Sequence, residues 1–368
     1  MTKEKKFKKR KLWQKIIIYL LLIILIIALV FSALIGYLTL TEFNPDKEVP
    51  LRLTGKSQTN SVNKSREMTA VSWNIGYGAL GSDADFFMDG GKSVDTADKD
   101  GVNKNLKGIS SELNSLNPDF ILLQEVDTDA KRSSYINEAS KLQSELLNQD
   151  YQSSFAENFK VKFIPYPIPP IGKVNAGIMT LSKSKISEAT RVQLPCPFKW
   201  PTRIANLKRC LSINRLPIEG SDKELVVVNL HLEAYDDGEG KKAQAEMLRK
   251  YLQSEADKGN YVIAGGDFNQ TFSGTDTSIM KQFNGTWKPP VLDTNKFDKS
   301  WQFLMDTKTA SCRSLDKPLT SLNTNKFQFY IIDGFIVSSN IKVTSLETKQ
   351  MGFKNTDHNP VILKFKLK

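Results

Sequence analysis

The chain of 368 residues is poor in the two side chains most often used to hold metals or to build covalent cross-links, with three cysteines and two histidines. No C-x-x-C pair occurs among Cys196, Cys210 and Cys312, which excludes the usual structural zinc site. Cys196 and Cys210 are close enough in sequence to bridge a short loop or to remain two thiols, and both readings stand. Neither G-x-G-x-x-G nor G-x-x-x-x-G-K-[ST] is present, so dinucleotide-cofactor and P-loop readings have no support. Internal repeats are absent, and with 40% hydrophobic and 25% charged residues the composition excludes wholesale disorder.

A strong acidic balance is also lacking. The net charge is +11, but residues 1–15 hold eight Lys/Arg against Glu4 alone and so account for +7 of it. The +4 left over is too little, over more than 350 residues, to argue for a polyanion track. Ile16–Leu40 then runs for 25 residues without a charge. A helix of that length crosses a hydrocarbon core of about 30 Å. The rival is a cleaved signal peptide, disfavoured by the length of the run and the lack of an A-x-A site. The cationic cluster before the span predicts a cytoplasmic tail over residues 1–15 and an extracellular remainder. Residues 41–66 are polar, contain Pro45 and Pro50, and read as a linker to a domain over 67–368.

Within that domain, strand-like and helix-like stretches alternate. Val102, Leu106, Ile109, Leu113 and Leu116 recur at helical spacing and stop before Pro118; Ala243, Met247, Tyr251 and Leu252 mark a second helix. Strands are predicted at 68–75, 119–126, 176–182, 210–216, 224–232, 261–264, 327–337, 341–346 and 361–367. This pattern predicts one large α/β domain with layered sheets.

Polar residues collect at the ends of these apolar strands: Trp73-Asn74, Gln124-Glu125-Val126, Asn229-Leu230-His231-Leu232, Gly266-Asp267-Phe268-Asn269, Ile332-Asp333-Gly334 and Asp357-His358-Asn359-Pro360-Val361. Any one of them is an ordinary strand end or Asx turn. Together they hold both histidines of the chain. The ordered set W-N, Q-E-V, N-x-H-L, G-D-F-N, I-D-G and D-H-x-P-V resembles the endonuclease/exonuclease/phosphatase superfamily from about Met68 to Lys368. The opening segment from Ser72 to Lys92 is similar to its RgfB-like bacterial branch.

The resemblance implies a four-layer α/β sandwich, two packed β-sheets flanked by helices, here preceded by one transmembrane helix. It implies a phosphodiesterase or phosphatase dependent on Mg²⁺ or Mn²⁺, with Glu125 the principal metal ligand and Asn74 beside it. Asp267 would orient or deprotonate the attacking water, and Asn269 would hold a phosphoryl oxygen. His358, oriented by Asp357, would contact phosphate and assist proton transfer. His231 would bind phosphate or assist the leaving group, and Asp333 would fill the remaining acidic position. Oxygen ligands suit a hard divalent cation, which neutralises an anionic phosphoester. The membrane, through the N-terminal helix, and a phosphate ester (lipid headgroup, nucleotide or nucleic acid) are the expected partners, with no obligate protein partner. A nuclease on extracellular nucleic acid and a non-catalytic surface or signalling module are the alternatives. Three further segments are candidates for substrate contact: the loop Phe86–Lys92, the proline-rich loop Phe163–Ile171, for which burial is the simpler reading, and Lys208-Arg209.

Overall fold

The structure, a computed structural model, describes residues 11–146, 150–236, 238–320 and 324–368. Residues 1–10 of the expected basic tail lie outside the described residues. Two compact units are present, Met1–Glu42 and Phe43–Lys368. In the first, helix α1 spans Leu12–Leu40 and contains an 18-residue stretch with a mean hydropathy of 3.3, long and apolar enough to cross a membrane.

The second unit is built on two seven-stranded mixed sheets. One runs, edge to edge, β2 (Leu53–Gly55), β5 (Gln152–Ile164), β6 (Gly172–Ser182), β4 (Phe120–Asp127), β3 (Met68–Asn74), β18 (Val361–Leu367) and β17 (Ile341–Thr348). The other runs β1 (Glu48–Pro50), β7 (Glu188–Gln193), β8 (Cys210–Pro217), β9 (Glu224–His231), β10 (Tyr261–Asp267), β16 (Asp333–Ser338) and β13 (Trp301–Leu304). Two short pairs complete the strands: β11 (Thr271–Phe272) with β12 (Val291–Leu292), and β14 (Cys312–Arg313) with β15 (Phe329–Tyr330).

Strand alternation makes the layers. Ala70, Phe120, Leu122, Leu363 and Phe365 of the first sheet meet Leu225, Val227, Ile263, Phe335 and Val337 of the second, forming the central core. The opposite face of the first sheet, with Val71, Trp73, Ile121 and Leu123, is covered by α2 (Lys99–Leu116) and α3 (Glu138–Glu145). The opposite face of the second, with Val226, Val228, Val262 and Ala264, takes Leu248 and Leu252 of α4 (Glu239–Asp257). Helix, sheet, sheet, helix is the four-layer sandwich expected. Helix α2 starts where the Asp98 carboxylate accepts the Gly101 N–H at 2.8 Å and ends on Asn117 in the left-handed region.

The expected linker is not one. Residues 48–50 pair with β7 and residues 53–55 with β5, so this stretch adds an edge strand to each sheet. Val62 is fully buried in the central core, and its N–H reaches the Pro217 carbonyl at 2.8 Å. A polar sequence hid this because edge strands contribute backbone hydrogen bonds more than apolar side chains. The strand expected at 327–337 is two, β15 and β16. All three cysteines are free: Cys210 is buried, and no bridge joins it to Cys196.

Candidate active site

Register alone assembles half of the site. Parallel pairing of β9 and β10 sets His231 opposite Asp267, and antiparallel pairing of β10 and β16 sets Asp267 opposite Asp333. Three ionisable groups therefore stand side by side across the end of one sheet. Gly266 permits this: a Cβ there would lie 1.9 Å from the Leu230 carbonyl oxygen, so only glycine lets β10 run that close to β9.

The other sheet supplies the rest. Asn74 at the end of β3 donates through Nδ2 to Glu125 Oε1 and to Asp267 Oδ2, both at 3.0 Å, joining the two sheets' acids through one amide. Its Oδ1 accepts the Gly76 N–H at 3.0 Å. Asn74 thus acts here as a donor between carboxylates, its carbonyl turned away from Glu125. Glu125 itself is half-buried and sits at φ +55° in a β4 bulge between Leu123 and Val126. That conformation is costly for a non-glycine residue and turns the carboxylate off the ladder. Beneath the site, the sheets are joined by Gln124 Nε2 donating to Asn229 Oδ1 at 2.8 Å.

His358 is held differently from expectation. Its Nδ1 pairs with Asp333 Oδ2 at 2.8 Å, whereas Asp357 Oδ2 lies 3.9 Å from Nε2. Asp333 is therefore the carboxylate that orients the ring. Sequence neighbours in extended chain diverge, while β16 delivers Asp333 across the site. With Nδ1 so fixed, Nε2 faces Asp267 Oδ2 at 3.8 Å. The Trp73 indole N–H caps the His358 carbonyl at 3.0 Å, and the Thr356 hydroxyl donates to the Asn74 carbonyl at 3.0 Å, pinning this loop to β3. Asn269 is placed by its N–H to Asp267 Oδ1 at 2.8 Å, with one amide N–H given to the Leu232 carbonyl.

These surroundings split the two imidazoles. Burial opposes charge on His358, but Asp333, with Cys312 and Asp357, outweighs it and raises the pKa well above the ordinary value. Burial, then Arg209 and His358, push His231 well below it. The same surroundings favour the cationic form of His358 and the neutral form of His231. His231 Nε2 lies 3.5 Å from Asp267 Oδ2, and its Nδ1 has no partner among the described residues. Asp267 is pushed up to about 7 by burial and by Asp333, the range that suits a base for water.

Three residues that line the site, Asp89, Tyr235 and Arg132, were not singled out in the sequence reading. Asp89, in the loop flagged for Lys92, is raised to about 6 by burial and by Asp357, despite accepting the Tyr235 hydroxyl at 3.4 Å. Asp89 and Tyr235 come from loops of opposite sheets and so span the mouth. Lys92 is exposed and only its backbone N–H is engaged, by Asp85. Arg132 chelates Asp127 at 2.9 and 3.0 Å and lies 3.8 Å from the Tyr77 ring centroid, a buried floor two residues from Glu125. Lys208 and Arg209 are buried rather than superficial, with Arg209 Nη1 donating to the His231 carbonyl at 3.3 Å. A lone Arg, Tyr or Asp carries no periodic signal, so Arg132 and Tyr235 were not visible before the fold and Asp89 only as part of a candidate loop.

The donor set fits a divalent cation. Asp267, Asp333 and His358 bring side-chain atoms within 4.8 Å of one another, but with His358 favoured as the cation the donors that suit a hard ion are the carboxylates. Asp333 Oδ1 is a buried acceptor without a hydrogen-bond partner among the described residues. Burial raises Asp357 to about 6, and nearby Glu125 adds to the rise against His358. Several carboxylates that repel one another in a buried cleft are what a hard cation relieves.

Residues 71–317 match the family model described as the Endonuclease/Exonuclease/phosphatase family. No curated protein sequence matches the chain. Among solved structures, an endonuclease/exonuclease/phosphatase from Beutenbergia cavernae aligns with a TM-score of 0.55 at 15% identity, over 82% of this chain and 72% of that one. The human nocturnin catalytic domain, solved with a sulfate anion, gives 0.51 at 17% identity over 86% and 98%. ANGEL2, described as a 2',3'-cyclic phosphatase in complex with adenosine-2',3'-vanadate, gives 0.53 at 14% over 87% and 99%. The likenesses establish the shared sandwich, and the family match extends across both sheets. The chain belongs to the endonuclease/exonuclease/phosphatase family.

Proposed function

We propose that this chain is a membrane-anchored, Mg²⁺- or Mn²⁺-dependent phosphohydrolase, a phosphodiesterase or phosphatase, working on the extracellular side. The observation that carries the reading is Asp267 between the two histidines, one cationic and clamped to Asp333, the other neutral. Glu125 would hold the cation with Asp357 near it; Asn74 would join them only if its carbonyl turned inward. When bound, the cation would neutralise the phosphoryl oxygens. Asp267 takes the proton of the attacking water. Cationic His358 donates through Nε2 to the anionic phosphate, held in orientation by Asp333. Neutral His231 donates a hydrogen bond to the phosphate or leaving oxygen, and Asn269 offers its remaining amide N–H to a phosphoryl oxygen. The description of ANGEL2 as a phosphatase supports phosphoester chemistry. The hydropathy of α1 supports the anchor, and the cationic residues before it support an outside placement.

The test is hydrolysis of bis-p-nitrophenyl phosphate by the purified full chain, followed by DNA, RNA, sphingomyelin and inositol phosphates. Activity is expected to vanish in excess chelator and in Glu125→Gln, and to return to the parent with Mg²⁺ or Mn²⁺. Full activity in chelator contradicts the mechanism.

A further inference from the structure

The proline-rich loop, for which burial was the simpler expectation, is the most exposed apolar feature of the second unit. Tyr166 is 73% and Ile168 94% exposed, with Phe163 38% exposed at the base of the turn. This loop joins β5 to β6, and its stem is not loose. Phe159, Val161, Ile164, Val174 and Ala176 form their own apolar cluster, against which Ile171, Ala205 and Leu207 pack. A packed stem that presents bare isoleucine and tyrosine leaves apolar surface without a partner inside the domain.

Its placement narrows the partner. Asp127 pairs with Ala176, where β4 ends two residues past Glu125. Beyond that point β6 extends back to Gly172 and β5 on to Ile164, so the hairpin overhangs the catalytic end of the sheet by about 13 Å. Phe43, the first residue of this unit, lies at the same end: its ring centroid is 5.7 Å from Lys160 Nζ and 5.6 Å from the Arg191 guanidinium. Only Thr41 and Glu42 separate Phe43 from the end of α1.

Charge is matched to an anionic surface. Lys160, Lys162 and Lys173 lie on the two strands, and Lys199 and Arg203 flank exposed Trp200 on the segment whose Ala205 and Leu207 pack on the stem. Glu157 and Asp129 pair with Lys160 and Lys173, which leaves the hairpin and its flank net positive. Apolar and aromatic tips ringed by lysine suit the headgroup boundary of an anionic bilayer.

We infer that the β5–β6 hairpin is a bilayer-contact element, seating the catalytic end of the domain on the membrane that α1 spans, and that the substrate is a phosphoester headgroup of a lipid in that membrane. The inference rests on the reading of α1 as an anchor and of the site as a phosphohydrolase. An exposed tyrosine such as Tyr166 also suits base stacking, but a nucleic-acid partner would not need the bare Ile168 beside it.

The experiment uses the full chain in phosphatidylglycerol/phosphatidylcholine vesicles, with Cys196→Ser and a fluorophore on Ile168→Cys. A second label on Ser221→Cys, in the exposed β8–β9 turn at the opposite end of the strands, is the control. Expected is quenching of the Ile168 label by nitroxide lipids and protection from iodide, with the Ser221 label showing the reverse. Ile168→Asp with Tyr166→Asp should cut hydrolysis of the vesicle lipid or of added sphingomyelin by about tenfold or more and change bis-p-nitrophenyl phosphate turnover by less than about twofold. Labels that respond alike, or an Ile168 label shielded by single-stranded oligonucleotide and not by lipid, overturn the inference while leaving hydrolysis of the soluble substrate intact. Loss of all hydrolysis by the parent with a lipid-quenched Ile168 label instead removes the phosphohydrolase reading and the headgroup substrate, and keeps the contact element.

Discussion

At the residue scale, the chain asks one carboxylate to do what a sequence neighbour was expected to do. Asp333 grips His358 Nδ1, and Asp357 stands 3.9 Å from the other ring nitrogen. A carboxylate that fixes an imidazole and balances its charge acts with it as one unit. His358→Ala is expected to lower kcat by about 10² to 10⁴-fold with little change in KM. Asp333→Asn should lose a similar amount, and the double variant scarcely more than either alone, since groups acting as a unit are not additive. Asp357→Asn combined with His358→Ala should instead multiply. Steady-state rates on bis-p-nitrophenyl phosphate for the four-member sets decide it, and a multiplicative Asp333–His358 pair would return the orienting role to Asp357.

At the element scale, the two edge strands of residues 43–66 and the α4–β8 contact carry stability that no motif reports. Val62 is fully buried between the sheets, and removing its two methyls in Val62→Ala should cost about 2 kcal/mol in urea unfolding. A chain begun at Ser65 should melt well below one begun at Phe43, because both sheets lose an edge and the core loses Val62. Equal melting temperatures would show these strands to be ornamental. Across α4, Glu255 is opposed by burial but holds its carboxyl at about 2 through hydrogen bonds from Arg215, Lys258 and Asn260. A folded pKa below the ordinary 4.5 means stability present above pH 4.5 and lost as pH falls toward 2. The stability difference between parent and Glu255→Gln is therefore expected to be constant above about pH 5 and to shrink between 4.5 and 2. A difference that persists at pH 2 would assign it to packing.

At the scale of the whole molecule, the proposed reading of α1 as a membrane anchor makes the sidedness of the residues after Leu40 directly testable. If α1 spans with the orientation that the preceding Lys/Arg cluster favours, protease added to intact cells is expected to remove residues after Leu40 and to spare the cationic tail. Protection of the domain until lysis would put it on the cytoplasmic side. Recovery of the domain free in the medium would mean that the apolar segment is cleaved. Each outcome is read from the size and location of fragments, independently of substrate.

What the sequence by itself determined were the features that repeat or that cluster locally. Ile16–Leu40 announced its helix because an uncharged run is unambiguous, and α2 because its apolar residues keep one face. The strand ends bearing Asn74, Glu125, His231, Asp267 and His358 were legible because apolar runs stopped at polar residues in a recognisable order. Strand β5 was not, although it is the longest: bulges at 157–159 and 161–164 break its two-residue alternation. Tertiary structure alone decided that Asp333 rather than Asp357 holds His358, since that contact joins residues from different elements. It also decided that polar residues 48–55 are strands, because their partners are backbone groups of β7 and β5. Arg132, Asp89 and Tyr235 joined the site for the same reason: pairing across sheets leaves no period in the chain that carries it.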